Sequence, residues 1–179
     1  MKNLSEALSL CADLLLYPDD NIELNLKKLF NIYNSTKKVE ELLNNKSLKD
    51  IQSHYINLFD SNIEKIECVP YASWWSAQRL MGKEALSIKE FYKECGFEFN
   101  HYEFKMPPDH MALEIGFLSL LLREEKIKEA CLMINKHLWW LDKLYECVKN
   151  KSKLYGKILF MALKLINTVK EEEVCLKES

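Results

Sequence analysis

An all-α bundle of about eight to ten helices, forming one domain over residues 1–179, follows from three observations. Apolar residues recur every three or four positions along most of the chain, the period of one helix face. Only 4 glycines and 4 prolines interrupt 179 residues, too little punctuation for the frequent turns of a β-sandwich or barrel. Hydrophobic residues make up 48% and charged residues 29%, an ordinary globular balance at a length that supports one core without a disulfide or metal staple. No repeat of 20–50 residues points to a solenoid.

Leu4, Ala7, Leu8, Cys11, Leu14 and Leu15 mark one face of a first helix, which Asn3 and Glu6 would cap as a capping box and Pro18 would stop. Ile22, Leu26, Leu29, Phe30 and Tyr33 mark a second, from about 21 to 33, followed by a polar stretch at 34–38. A short helix is expected at 39–43. Ser47 then caps a helix carrying Leu48, Ile51, Tyr55, Leu58 and Phe59. Residues 61–71 read as a connection ending at Pro70. A short helix over 73–81 would end at Gly82, and another over 83–95 at Gly96, where a left-handed glycine belongs.

After a second long connection, 97–107, the run Pro107-Pro108-Asp109 reads as a helix start, with proline at the first position and Asp109 at the positive end. Ala112, Ile115, Leu118, Ser119 and Leu122 carry that helix to about Arg123. The stripe from Ile127 to Val148 fits one long helix or two abutting ones. A last helix is expected over 152–173, with Glu171, Glu172 and Glu173 as its solvated end.

The formal net charge of −2 offers no basic stripe for nucleic acid. The six cysteines, Cys11, Cys68, Cys95, Cys131, Cys147 and Cys175, contain no C-x-x-C pair, so they read as small hydrophobes in a reducing compartment. The first residues lack the pattern of a secretory signal, and the run 158–166 is too short to span a bilayer, so a cytoplasmic location without stable membrane insertion is expected.

Few groupings suggest chemistry. Asp109-His110 is an acid–imidazole pair that would serve acid–base or metal chemistry given further groups, with His101 as a third member of a metal-dependent hydrolase. The plainer reading has Asp109 charging the helix start and His110 facing solvent. Tyr71, Trp74 and Trp75 form an aromatic cluster suited to peptide recognition; adjacent tryptophans on a helix point apart, so both are not expected to be fully buried. Trp140 reads as core. Phosphate loops, dinucleotide fingerprints, zincin and hydrolase motifs are absent from the sequence.

Tyr55-Ile56-Asn57-Leu58-Phe59 resembles a Y-x-x-L-F signature, and Met106-Pro107-Pro108-Asp109-His110 resembles an E-x-P-D-H signature. Pro70-Tyr71-Ala72-Ser73, Leu80-Met81-Gly82, the run from Phe91 to Phe97 and His137-Leu138-Trp139 fall in the matching order. Together they resemble the TorD/DmsD/NarJ family of molybdoenzyme maturation chaperones over most of the chain. Met106 departs from the pattern, standing where the family has an acid; Glu103 or Glu114 are the nearby substitutes.

The resemblance implies a TorD-like, non-catalytic cytoplasmic chaperone without a cofactor. Its partner would be the N-terminal leader, commonly a twin-arginine export signal, of an apo molybdenum-containing oxidoreductase subunit, held until the cofactor is inserted. It implies a leader site among Asp109, His110, Tyr71, Trp74 and Trp75, with Tyr55, Leu58 and Phe59 shaping a groove from beneath and Leu113, Glu114 and Phe117 continuing its wall. Asp109 would stand at the groove mouth to meet an arginine. Nucleotide binding is not carried over, since no phosphate loop exists. A monomer or a domain-swapped dimer fits, and a permanent helical subunit of a redox complex is the alternative.

Overall fold

The computed structural model describes residues 2–32, 38–61, 66–100, 102, 105–171 and 175. Among the described residues ten α-helices follow one another: α1 Lys2–Leu14, α2 Ile22–Ile32, α3 Lys38–Leu43, α4 Leu48–Tyr55, α5 Ala72–Ala77, α6 Lys83–Glu94, α7 Met111–Arg123, α8 Ile127–Lys136, α9 Leu141–Val148 and α10 Lys153–Lys170. A π-helical turn, Ile56–Asp60, continues α4. Among the described residues the sole β feature is an isolated antiparallel bridge between Tyr71 and His110. No helix among them is long and apolar enough to cross a membrane. The all-α expectation holds.

The most apolar stripe belongs to α7, whose Met111, Ile115, Leu118 and Leu121 are fully buried. It packs along α1, which contributes Ala7, Leu8 and Cys11. Ser119 Oγ donates to the Ser5 carbonyl at 2.7 Å, and Gly116 faces the Ala12 methyl, so small residues let the two backbones approach. α10 lies against α1, α8 and α9 and buries ten residues, from Leu154 to Val169. At Gly156 a Cβ would stand 3.0 Å from the Lys149 backbone, which explains a glycine inside a helix where it otherwise weakens the structure.

Local signals account for several helix ends. Ser47 and Asp50 form a reciprocal capping box on α4, and Ser152 Oγ accepts from Tyr155 N on α10. Gly96, at φ +89°, closes α6 in a Schellman arrangement: Gly96 N donates to Lys93 O and Phe97 N to Tyr92 O.

Several expectations need correction. The chain is helical from Lys2, so Asn3 and Glu6 lie inside α1 and form no capping box. α5 ends at Gln78, which takes the left-handed conformation itself (φ 52°), and Gly82 becomes the N-cap of α6. α7 begins at Met111, so neither Pro107 nor Pro108 is its first residue. The stripe from 127 to 148 is two helices with a break at residues 137–140, one of the two arrangements expected. Tyr33, the polar residues 34–37, His101, Glu103, Glu172 and Glu173 lie outside the described residues.

The cysteines differ most. Cys68 pairs with Cys147 and Cys131 with Cys175 as disulfides, leaving Cys11 and Cys95 as buried thiols. The partners lie 79 and 44 residues apart in sequence, so only tertiary packing brings them together. Spacing alone cannot reveal such pairs. The first disulfide fastens the segment that enters α5 to the end of α9.

Candidate functional site

The two motif-bearing segments meet in a clasp. Pro70–Ala72 runs antiparallel to Asp109–Met111: Met111 N donates to the Pro70 carbonyl at 2.9 Å and Ala72 N to the Asp109 carbonyl at 3.0 Å. The Tyr71 and His110 rings meet edge-on at 5.2 Å. Tyr92 Oη donates to the Pro108 carbonyl at 2.9 Å, tying α6 to the same place.

Asp109 is 0% exposed. Its Oδ2 accepts from Ser73 N at 2.8 Å, so it caps the start of α5 rather than its own helix and does not stand at a groove mouth. Among the described residues its Oδ1 and the Ser73 hydroxyl, both buried, have no hydrogen-bond partner. The cap of α7 is His110, whose Nδ1 accepts from Ala112 N at 3.2 Å. At 3% exposed, His110 is core and does not face solvent. An acceptor at Nδ1 carries no proton, so the neutral ring holds its proton on Nε2.

Burial lowers the His110 pKa to about 3, and that of His137 to about 4 with Lys136 adding to it. Both groups are depressed from 6.5, so their share of stability is intact above pH 6.5. It is lost as pH falls, because the unfolded chain binds protons that the folded rings refuse. Each depressed histidine adds a slope approaching roughly 1.4 kcal/mol per pH unit. His110→Asn keeps an acceptor at the cap and should flatten the acid limb of stability between pH 6.5 and 4.5, measured by urea unfolding. An unchanged slope would mean that His110 is protonated in the folded protein.

Glu114 is nine-tenths buried or more, and its Oε2 accepts from the Trp140 indole at 2.8 Å. Burial pushes its carboxyl well up, Asp109 adds to this, and the indole bond opposes it. Glu114 faces a polar cavity of about 180 Å³ shared with Glu84, His137 and Trp139. Trp139, 39% exposed, has the Lys143 ammonium 4.8 Å from its ring.

On the other side of α7 lies an apolar groove of about 330 Å³. Leu113, Gly116, Phe117 and Leu120 form one wall, Ala12 of α1 and Leu16 just after it the other, and Tyr92, Phe97 and Phe99 close one side. This volume suits a few apolar side chains. Of the residues expected at the site, Leu113 and Phe117 line this groove and Glu114 lies on the opposite face. Asp109, His110 and Tyr71 form the clasp behind them. Trp74 and Trp75 are half-buried on α5, and the Trp75 indole donates to the Val69 carbonyl at 2.8 Å. Tyr55, Leu58 and Phe59 are buried; Tyr55 and Phe59 stack edge-on with Tyr155, at 5.7 and 5.3 Å. Cys68 N donates to the Leu58 carbonyl, joining this cluster to the clasp segment.

Sequence reasoning missed the α1 wall and the aromatics after Gly96. Phe97 and Phe99 carried a signal, being two aromatics in an irregular stretch. Among the described residues no group of three or more His, Cys, Asp or Glu side chains converges as a metal site would require.

Residues 31–147 match the nitrate reductase delta subunit family. No curated protein matches the chain. A crystal structure from Archaeoglobus fulgidus, of a protein assigned as a redox enzyme maturation protein, superposes with a TM-score of 0.69. The match covers 91% of this chain and 93% of that one at 24% sequence identity, a likeness of fold.

Proposed function

The chain belongs to the nitrate reductase delta subunit family, and from that premise we propose that it is a non-catalytic maturation chaperone. It would bind the N-terminal leader of a molybdenum-containing oxidoreductase subunit in the cytoplasm before cofactor insertion and export. The observation that carries this reading is the groove between α1 and α7, apolar on both walls, beside the clasp formed by the family-like motifs. An extended or helical apolar segment is the occupant such a groove suits. Leu113 and Phe117 would contact it, while Asp109, His110 and Tyr71 would hold α5, α6 and α7 in register around it.

The family is that of a reductase subunit, and that favours one second reading, a permanent helical member of a redox complex. Deleting the chain from its host separates the two. A chaperone leaves the finished enzyme without this chain in wild-type cells, and its loss leaves a client subunit lacking molybdenum. Co-purification with the active enzyme at one copy per complex would establish the second reading.

A further inference from the structure

The apolar groove does not end blindly. It continues into a second hollow of about 280 Å³ at the C-terminal end of α1, and Asp13 and Leu16 line both. The continuation carries Asp13 and Asp19, and Glu98 stands on the groove's rim; among the described residues, none lining either hollow is basic. Among the described residues neither Asp13 nor Glu98 has an ion-pair partner.

Asp13 is also on the wrong side of its helix. It occupies the last turn of α1, which holds no basic residue, and the C-terminal end of a helix repels an acid. Partial burial raises its pKa, with the Asp19 charge adding to the shift. An acid at a helix C-terminus, beside another acid and unneutralised, weakens the free protein. A cation placed there would meet the Asp13 carboxylate and the negative helix end together, beside the Asp19 carboxylate, which accepts from Asn21 N and Nδ2.

We propose that the groove has two unlike ends and so a direction: an apolar peptide segment lies along Leu113, Phe117 and Phe97, and a cationic side chain, arginine or lysine, sits at the Asp13–Asp19 end. Asp13 is then the residue that sets the direction of the bound segment and selects for positive charge. This rests on the peptide-binding reading above and adds orientation and charge selectivity to it.

The test uses the full chain and two synthetic peptides sharing a run of eight Leu and Ala residues, one ending in two arginines and the other in two glutamines. At low salt the wild type should bind the arginine peptide about five- to ten-fold tighter, a preference that shrinks as salt screens it. In Asp13→Asn the ratio of the two affinities should fall to within about two-fold. The same variant should melt about 2 °C higher, since an unfavourable helix-end charge has gone. A benzophenone beside the arginines should cross-link to residues 13–25, and one at the apolar end to 97–120. Equal binding of both peptides by the wild type, or a preference that survives Asp13→Asn, overturns the charge assignment while leaving peptide binding in place. Cross-links in the reverse order overturn the orientation. A lower melting temperature together with weaker glutamine-peptide binding would make Asp13 a structural residue and overturn it too. Failure of the folded wild type to bind either peptide overturns the groove reading itself.

Discussion

Trp140→Ala should destabilise the protein by about 3–5 kcal/mol, enough to consume much of the stability of a typical domain. Trp140 is fully buried at the start of α9, within the hydrophobic core and bonded through its indole to Glu114 of α7. Removing its ring leaves a cavity that the surrounding helices cannot fill, and it takes the indole donor away from the buried Glu114 carboxyl. Trp140→Phe separates the two effects. It keeps most of the apolar volume and loses the donor, so it should cost about 1–3 kcal/mol. Glu114→Gln keeps an acceptor for the indole and should cost less than either. It should also remove the loss of stability that Glu114 causes on the alkaline side: a carboxyl held above its unfolded pKa of 4.5 stabilises below that value and loses its share as pH rises. Urea unfolding of the three variants at pH 5 and pH 8 reads all of these. A Trp140→Ala protein within about 1 kcal/mol of wild type would show that the indole is not a core anchor.

Leu113→Lys should reduce peptide affinity by at least ten-fold while leaving the melting temperature within a few degrees. Leu113 is half-buried on the groove wall, so a lysine there can turn its ammonium to solvent in the free protein. With an apolar segment bound, the stem still packs but the charge must be desolvated or expel the ligand, and either costs more than the tenfold equivalent of about 1.4 kcal/mol. Phe117 is less useful for this purpose. It is buried and packs on Tyr92, with ring centroids 4.3 Å apart, so its removal would unsettle α6 as well. Unchanged affinity in a folded Leu113→Lys protein would move the peptide site away from α7.

The helices were legible because each needs only its own residues to be seen. The three- and four-residue period located every one to within a few positions, and Ser47 and Gly96 act through hydrogen bonds to their own helices. Asp109 was misplaced for the converse reason. As a residue at a helix entry it looks like a cap for α7, yet its carboxylate serves α5, 36 residues earlier in the chain. That assignment depends on the Tyr71–His110 bridge, and no local pattern announces one. Gln78 took the role expected of Gly82 because a single residue can adopt the left-handed turn when the next helix needs the glycine as its cap.

The candidate site divides along the same line. Leu113 and Phe117 were found by counting turns along α7 from Asp109. Glu114, counted with them, points to the opposite side of the helix, because adjacent residues on a helix diverge by about 100°. The α1 wall comes from a helix about a hundred residues away, so Ala12, Asp13 and Leu16 give no hint that they face Leu113. The disulfides fall in the same class: pairing across the fold is a property of the packed chain.

The peptide-binding reading is tested most directly by calorimetric titration of the folded protein with synthetic leader peptides from the molybdoenzymes of its own source. The expected result is binding of one leader at micromolar Kd or tighter (about −8 kcal/mol), with a negative heat-capacity change from apolar burial and loss of binding when the sequence is scrambled. Failure of a folded protein to bind any of them, or equal binding of a leader and its scrambled form, would contradict it.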